Sequence, residues 1–198
     1  MHESTLVAGW LAGIIGFIAY VPYFFAIIYG KTSPNRATWF IWTMVNTISF
    51  LSYSVSGAGN AIWFSVSDAV ASLVILIFSI RRGEGGWNGL DQVCLLTASL
   101  SVFFWWLSGS ALVGLSMSLI ADAMGAIPTI TKTYHRPESE NRLSWTMTTI
   151  ATVINLFAIE NWRELSSLLY PIYMLLLMTI ITAFLWSRTK RNDTLIVL

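Results

Sequence analysis

Charge is scarce in this chain. Lys and Arg contribute 11 residues and Asp and Glu 10, together 11% of 198, against roughly 25% in soluble domains. With 56% hydrophobic residues, that shortage excludes an ordinary water-soluble domain. Cysteine occurs once, as Cys94, so neither a disulfide framework nor a cysteine-based metal site is available. Histidine occurs only at His2, by the terminus, and at His135, in a loop. Neither is given a role, and no cofactor or metal is expected.

What the chain has instead is apolar length. Seven segments, Leu6–Tyr29, Ala37–Val55, Ala61–Ile80, Gln92–Leu107, Ala111–Thr131, Leu143–Ile159 and Ser166–Trp186, have or approach the roughly 20 residues that a helix needs to cross a hydrocarbon core of about 30 Å. The expected fold class is an all-α membrane protein with seven transmembrane helices. The first segment has no basic residue before it and is too long for a signal-peptide core, so it reads as a span rather than a secretory signal.

If the segments alternate across the bilayer, one side receives Lys31, Arg36, Arg81, Arg82, Lys132, Arg136, Arg142, Arg188, Lys190 and Arg191, and the other receives Arg163 alone. Short cytoplasmic loops carry such an excess. The expectation is therefore a cell (plasma or inner) membrane protein with its N-terminus outside and its C-terminus in the cytoplasm.

Two stretches repeat. SPNRATW covers Ser33–Trp39 and SENRLSW covers Ser139–Trp145, 106 positions apart. At that offset Pro22 meets Pro128, Ser33 Ser139, Asn35 Asn141, Arg36 Arg142, Trp39 Trp145 and Thr43 Thr149, without a gap. Unrelated apolar helices match by chance at Leu, Ile or Val; these matches are Pro, Asn, Arg and Trp. The chain reads as a first three-helix repeat over 1–82, a cytoplasmic loop and linker helix over 83–110, a second repeat over 111–191 and a tail over 192–198. Three spans reverse the side of the chain, and the linker helix restores a parallel orientation. Parallel repeats of this kind place a binding site at their interface near the membrane midplane.

On these features the chain resembles the SWEET and PQ-loop transporter superfamily: seven spans as three, one and three, an outside N-terminus, and a proline near the cytoplasmic end of each bundle's first helix. The resemblance implies that two parallel three-helix bundles enclose one solute pathway and rock about proline-containing helices, with Pro22 and Pro128 as hinges. The glutamine of the PQ motif is replaced, by Tyr23 and Thr129. The resemblance further implies a site residue on the third helix of each bundle; Asp68 lies on one, while the seventh segment offers Tyr170, Pro171, Tyr173 and Thr179.

Polar residues recur at depth. Trp39, Trp42, Asn46, Ser49 and Tyr53 lie on one helical face, as do their repeat counterparts Trp145, Thr148, Thr152 and Asn155. Hydrocarbon cannot satisfy these groups, so they should face protein or a wet cavity; bonds across packed helices would also account for them. Trp39 and Trp145 open their segments and are read as interfacial belt residues, whereas Trp42 is a candidate for stacking on a solute. Asp68, on a stripe with Ser65 and Ser72, and Asp122, on one with Ser118 and Gly125, have no mid-segment Lys or Arg to pair with. A carboxyl at a helix centre costs about 2.5–3.5 kcal/mol and so needs a role, either in proton coupling or as a neutral donor between helices. Gly9, Gly13 and Gly16 suit close helix approach. The loop RRGEGGWNGLD reads as non-helical, with Glu84 and Asp91 solvated.

The expected function is a secondary transporter or facilitator for a small neutral or zwitterionic polar solute, sugar-, amino acid- or vitamin-like, working by alternating access. The pathway candidates are Trp42, Asn46, Ser49, Tyr53, Thr148, Thr152, Asn155 and Tyr173, with proton coupling at Asp68 or Asp122. A seven-helix receptor or sensor on the same plan is the open alternative. No enzyme is expected, because two separated acids supply neither a nucleophile with its base nor a metal-ligand set. Expected partners are the solute, protons and the lipid bilayer, with a homo-oligomer left open and nucleic acid not expected.

Overall fold

The computed structural model describes residues 2–55, 59–85 and 88–196. These form α1 (His2–Ile28), α2 (Arg36–Val55), α3 (Ile62–Arg82), α4 (Gly89–Ser108), α5 (Ala111–His135), α6 (Arg142–Leu156) and α7 (Leu165–Ile196), with 3-10 turns at Gly59–Ala61 and Pro137–Ser139. The fold is all-α; no strand occurs among the described residues. Three stretches, Glu3–Ile28, Gly59–Arg82 and Ser167–Ser187, are long and apolar enough to cross a membrane.

The surface supports that reading. On α1, Leu11, Ile14, Ile18, Val21 and Phe25 follow helical spacing and are all exposed, as are Val70, Leu73 and Ile77 on α3. The buried face of α3 carries Ser65, Asp68, Ser72 and Ser79. Apolar outside and polar inside inverts the arrangement of a water-soluble helix, and exposed apolar faces of this extent mark contact with lipid or a partner.

The repeated loop motif has a local cause. Asn35 Oδ1 accepts from Thr38 N at 3.0 Å and Asn141 Oδ1 accepts from Ser144 N at 3.0 Å, so each asparagine caps the helix that follows it. Thr43 and Thr149, the last matched pair, each return a hydroxyl bond to the tryptophan carbonyl one turn back, at 2.7 and 2.9 Å.

α1 packs on α3 and α6, α2 on α3 and α5, and α7 on α5 and α6. The circuit α1–α3–α2–α5–α7–α6 thus closes on itself, with α4 outside it against α5 and, more lightly, α2. In this circuit α3 lies between α1 and α2, and α7 between α5 and α6. Close approach of α1 to the Gly59–Ala61 turn and to α3 depends on its glycines: a Cβ on Gly9 would lie 2.2 Å from Asn60 O in the turn, and one on Gly13 would lie 2.9 Å from Trp63 O in α3.

Several boundaries differ from the sequence reading. Arg81 and Arg82 still belong to α3, and α4 begins at Gly89 because Asn88 caps it, accepting from Asp91 N at 2.9 Å. α6 spans only 15 residues, about 22 Å at 1.5 Å per residue; i→i−3 bonds then carry the chain to Ile159.

The basic loops meet. Arg36 N donates to Glu84 O and Glu84 N to Pro34 O, Arg36 Nη1 reaches Gly85 O, and Arg136 pairs with Glu84 at 3.0 Å. Away from these loops, Asn60 joins Glu160, between α6 and α7, and Thr5 near the start of α1.

Candidate functional site

A cavity of about 30 Å³ lies inside the six-helix circuit, and every helix of the circuit lines it. Such a space holds one or two waters. Tyr20 and Tyr23 come from α1, Trp39, Trp42 and Asn46 from α2, Asp68 from α3, Asp122 from α5, Ser144, Trp145 and Thr148 from α6, and Met174 and Met178 from α7. The helical spacing of α2 and α6 explains the symmetry, because the same stripe positions in both helices turn toward the centre.

Both acids therefore face one space, although they lie on separate stripes of separate helices. Asp68 accepts two phenols, Tyr20 at 2.9 Å on Oδ1 and Tyr170 at 3.2 Å on Oδ2. Asp122 Oδ2 accepts from Tyr173 at 2.7 Å, and its backbone carbonyl accepts from Trp42 Nε1 at 3.3 Å. Neither carboxylate has an ion-pair partner among the described residues. Tyrosine hydroxyls thus satisfy part of each buried carboxyl without neutralising it.

The expected pathway residues divide. Trp42, Asn46 and Thr148 line the cavity. Tyr173 takes part through its bond to Asp122. Ser49, Thr152 and Asn155 lie farther along the same faces, buried but outside the cavity lining. Thr152 bonds to Thr149 O at 2.8 Å, while the Ser49 hydroxyl and both polar atoms of the Asn155 amide have no partner among the described residues. Ser49 and Asn155 are 106 positions apart, so each of the two matched stripes carries a buried, unpartnered polar residue past the cavity among the described residues. The side chain of Tyr53 lies outside the described residues. Pro22 and Pro128 both sit inside continuous helices.

Three readings of the sequence are corrected. Trp39 and Trp145 are not belt residues: they are 3% and 5% exposed and line the cavity. Asp91 is fully buried and accepts from Asn35 Nδ2 at 3.3 Å. Glu84 is held by Lys132 at 3.6 Å and by Arg136. The residues missed altogether are Tyr20, Tyr23, Lys132 and Glu140. Glu140, almost fully buried, forms an ion pair with Lys132, accepts from Trp145 Nε1 at 2.9 Å and from Tyr23 OH at 3.4 Å. Lys132 also donates to Ser33 O. This pair ties the basic loops to two aromatic side chains of the cavity, Tyr23 and Trp145. The residue after the repeated serine, Glu140, was the available signal: an acid placed one residue before a helix cap.

Compared with family models, curated proteins and solved structures, the chain has no match.

Proposed function

We propose that the chain is a seven-span secondary transporter or facilitator of SWEET-like plan, with two parallel three-helix repeats, α1–α3 and α5–α7, joined by α4. In this reading it moves a small polar solute by alternating access, with the basic loops in the cytoplasm of a cell membrane and the N-terminus outside. The observation that carries it is the central cavity, which draws Trp39 and Trp42 from one triplet and Trp145 and Thr148 from the repeat-equivalent positions of the other, with Asp68 and Asp122 beside them. Intramembrane acids are costly and mark ion or proton pathways. At about 30 Å³ the cavity admits a solute only if the triplets separate, and they meet along α1–α6 and α2–α5. Pro22 and Pro128, on two of those helices, would act as hinges, since each proline removes a helical hydrogen bond.

Counterflow tests the reading. Purified protein in liposomes loaded with an unlabelled solute should draw in the labelled form of that solute against its gradient. Saturable binding without flux would make the chain a receptor instead.

A further inference from the structure

We propose that the solute recognised in this cavity is a small organic cation, an alkylammonium of primary to quaternary type, seated between the Asp68 and Asp122 carboxylates and a cage of aromatic rings. The proposal rests on the transport reading for the cavity being a solute site, and it replaces the neutral or zwitterionic solute expected from composition.

Electrostatics supply the first ground. Two carboxylates line the cavity, and no Lys, Arg or His among the described residues does. An anionic group would meet two acids and no basic partner. Lys132 is engaged by Glu140, Glu84 and Ser33 O, so the acid end of a zwitterion would find no counter-charge there either.

Hydrogen-bonding capacity supplies the second. Most donors on the cavity wall are already committed within the protein: Tyr20 to Asp68, Tyr23 and Trp145 to Glu140, Trp42 to Asp122 O, Ser144 to Asn141 Oδ1 and Thr148 to Ser144 O. A sugar needs donors and acceptors paired around its ring. What this wall leaves over is Asp122 Oδ1, an acceptor not used by the bond from Tyr173, and the Asn46 amide, which can donate as well as accept and, on a residue only 6% exposed, lines the cavity with no hydrogen-bond partner among the described residues.

The third ground is the shape of the wall. Tyr23, Trp39, Trp42 and Trp145 form a closed circuit of rings with centroid separations of 5.3, 5.3, 5.9 and 6.3 Å. Aromatic rings recognise ammonium groups through their negative faces, more strongly where water is excluded. A compact alkylammonium presents positive charge on an apolar surface, which matches a wall that is acid on one part and aromatic on the rest.

The test compares choline and tetramethylammonium with 3,3-dimethylbutan-1-ol, the uncharged isostere of choline, and with glucose and glycine. Binding is measured calorimetrically on the full chain in nanodiscs. Saturable binding of at least one cation, about tenfold or more tighter than the isostere, is the expected result. Asp122→Asn and Trp42→Leu should each weaken it about tenfold or more, with Trp42→Phe losing less because a ring face remains. Equal binding of the isostere, saturation by glucose or glycine alone, or no saturable binding of either cation overturns the proposal. The isostere comparison uses the unaltered chain, so it decides even where a variant does not fold. Choline binding without counterflow would remove the carrier and keep the cation site; sugar counterflow indifferent to choline would keep the carrier and remove the cation site.

Discussion

Asn141 and Pro22 join the two halves of the chain: while Asn141 Oδ1 caps α6, its Nδ2 donates to the carbonyl oxygen of Pro22 on α1 at 3.3 Å. Asn35, its counterpart, also caps a helix but gives its amide to Asp91. One inherited local role is shared, and the second role differs because different elements pack over the two loops.

Substitutions at this position separate the roles. Asn141→Asp keeps the capping oxygen and loses the donor to Pro22, whereas Asn141→Ala loses both. Alanine should lower stability by about 1–2 kcal/mol and aspartate by less, read as thermal unfolding in detergent. An alanine variant as stable as the parent would contradict the assignment.

Close approach of α1 to the Gly59–Ala61 turn that leads into α3 predicts a steep dependence on glycine. Gly9→Ala places a methyl 2.2 Å from a backbone oxygen and should cost about 1–3 kcal/mol. Gly89→Ala, which meets nothing within 4 Å, should leave the unfolding midpoint within experimental scatter or raise it. Similar losses for both would mean that this contact is not the cause.

The Lys132–Glu140 pair is almost wholly buried, with side chains 5% and 1% exposed. Removing one partner leaves the other charge buried, so Lys132→Met and Glu140→Gln should each cost about 3–5 kcal/mol. The double variant should lose clearly less than the sum of the two, as coupled sites do. Strict additivity in unfolding measurements would show that the two groups do not interact.

Proton coupling is tested at the acids. Asp68→Asn and Asp122→Asn keep side-chain size and can still accept from their tyrosines, but neither exchanges a proton at physiological pH. Each should abolish uphill accumulation in proteoliposomes even at solute concentrations high enough for exchange between equal pools to run. Full accumulation by both variants rules coupling out.

The unsatisfied pair beyond the cavity gives a labelling prediction. In a Cys94→Ala background, Ser49→Cys and Asn155→Cys should react slowly with a water-soluble maleimide at rest and several-fold faster while solute is exchanging, because a pathway that opens must wet its polar lining. Unchanged rates at both positions would place these residues in sealed packing.

Much of this protein follows from local properties that a sequence carries in full. Hydropathy marks the long apolar helices because burying a peptide group in hydrocarbon requires internal hydrogen bonding whatever its neighbours are. The matched Asn-Arg motifs mark two helix starts because a cap acts over three residues. Periodicity places Trp42, Asn46 and Thr148 on inward faces, since a stripe recurs every 3.6 residues.

Only tertiary packing decided what each face meets. Trp39 and Trp145 look like interface anchors by position, yet the rotation of α2 and α6 brings both into the centre, where Glu140 holds the Trp145 indole. Asn155 shares the stripe of Thr148 but lies beyond the cavity lining. Asp68 and Asp122 come together, and acquire tyrosines from α1 and α7, through contacts between helices distant in the chain. Periodicity reports direction around one axis; which axes lie side by side depends on side-chain volumes at contacts such as Gly9 with Asn60, which no single helix encodes.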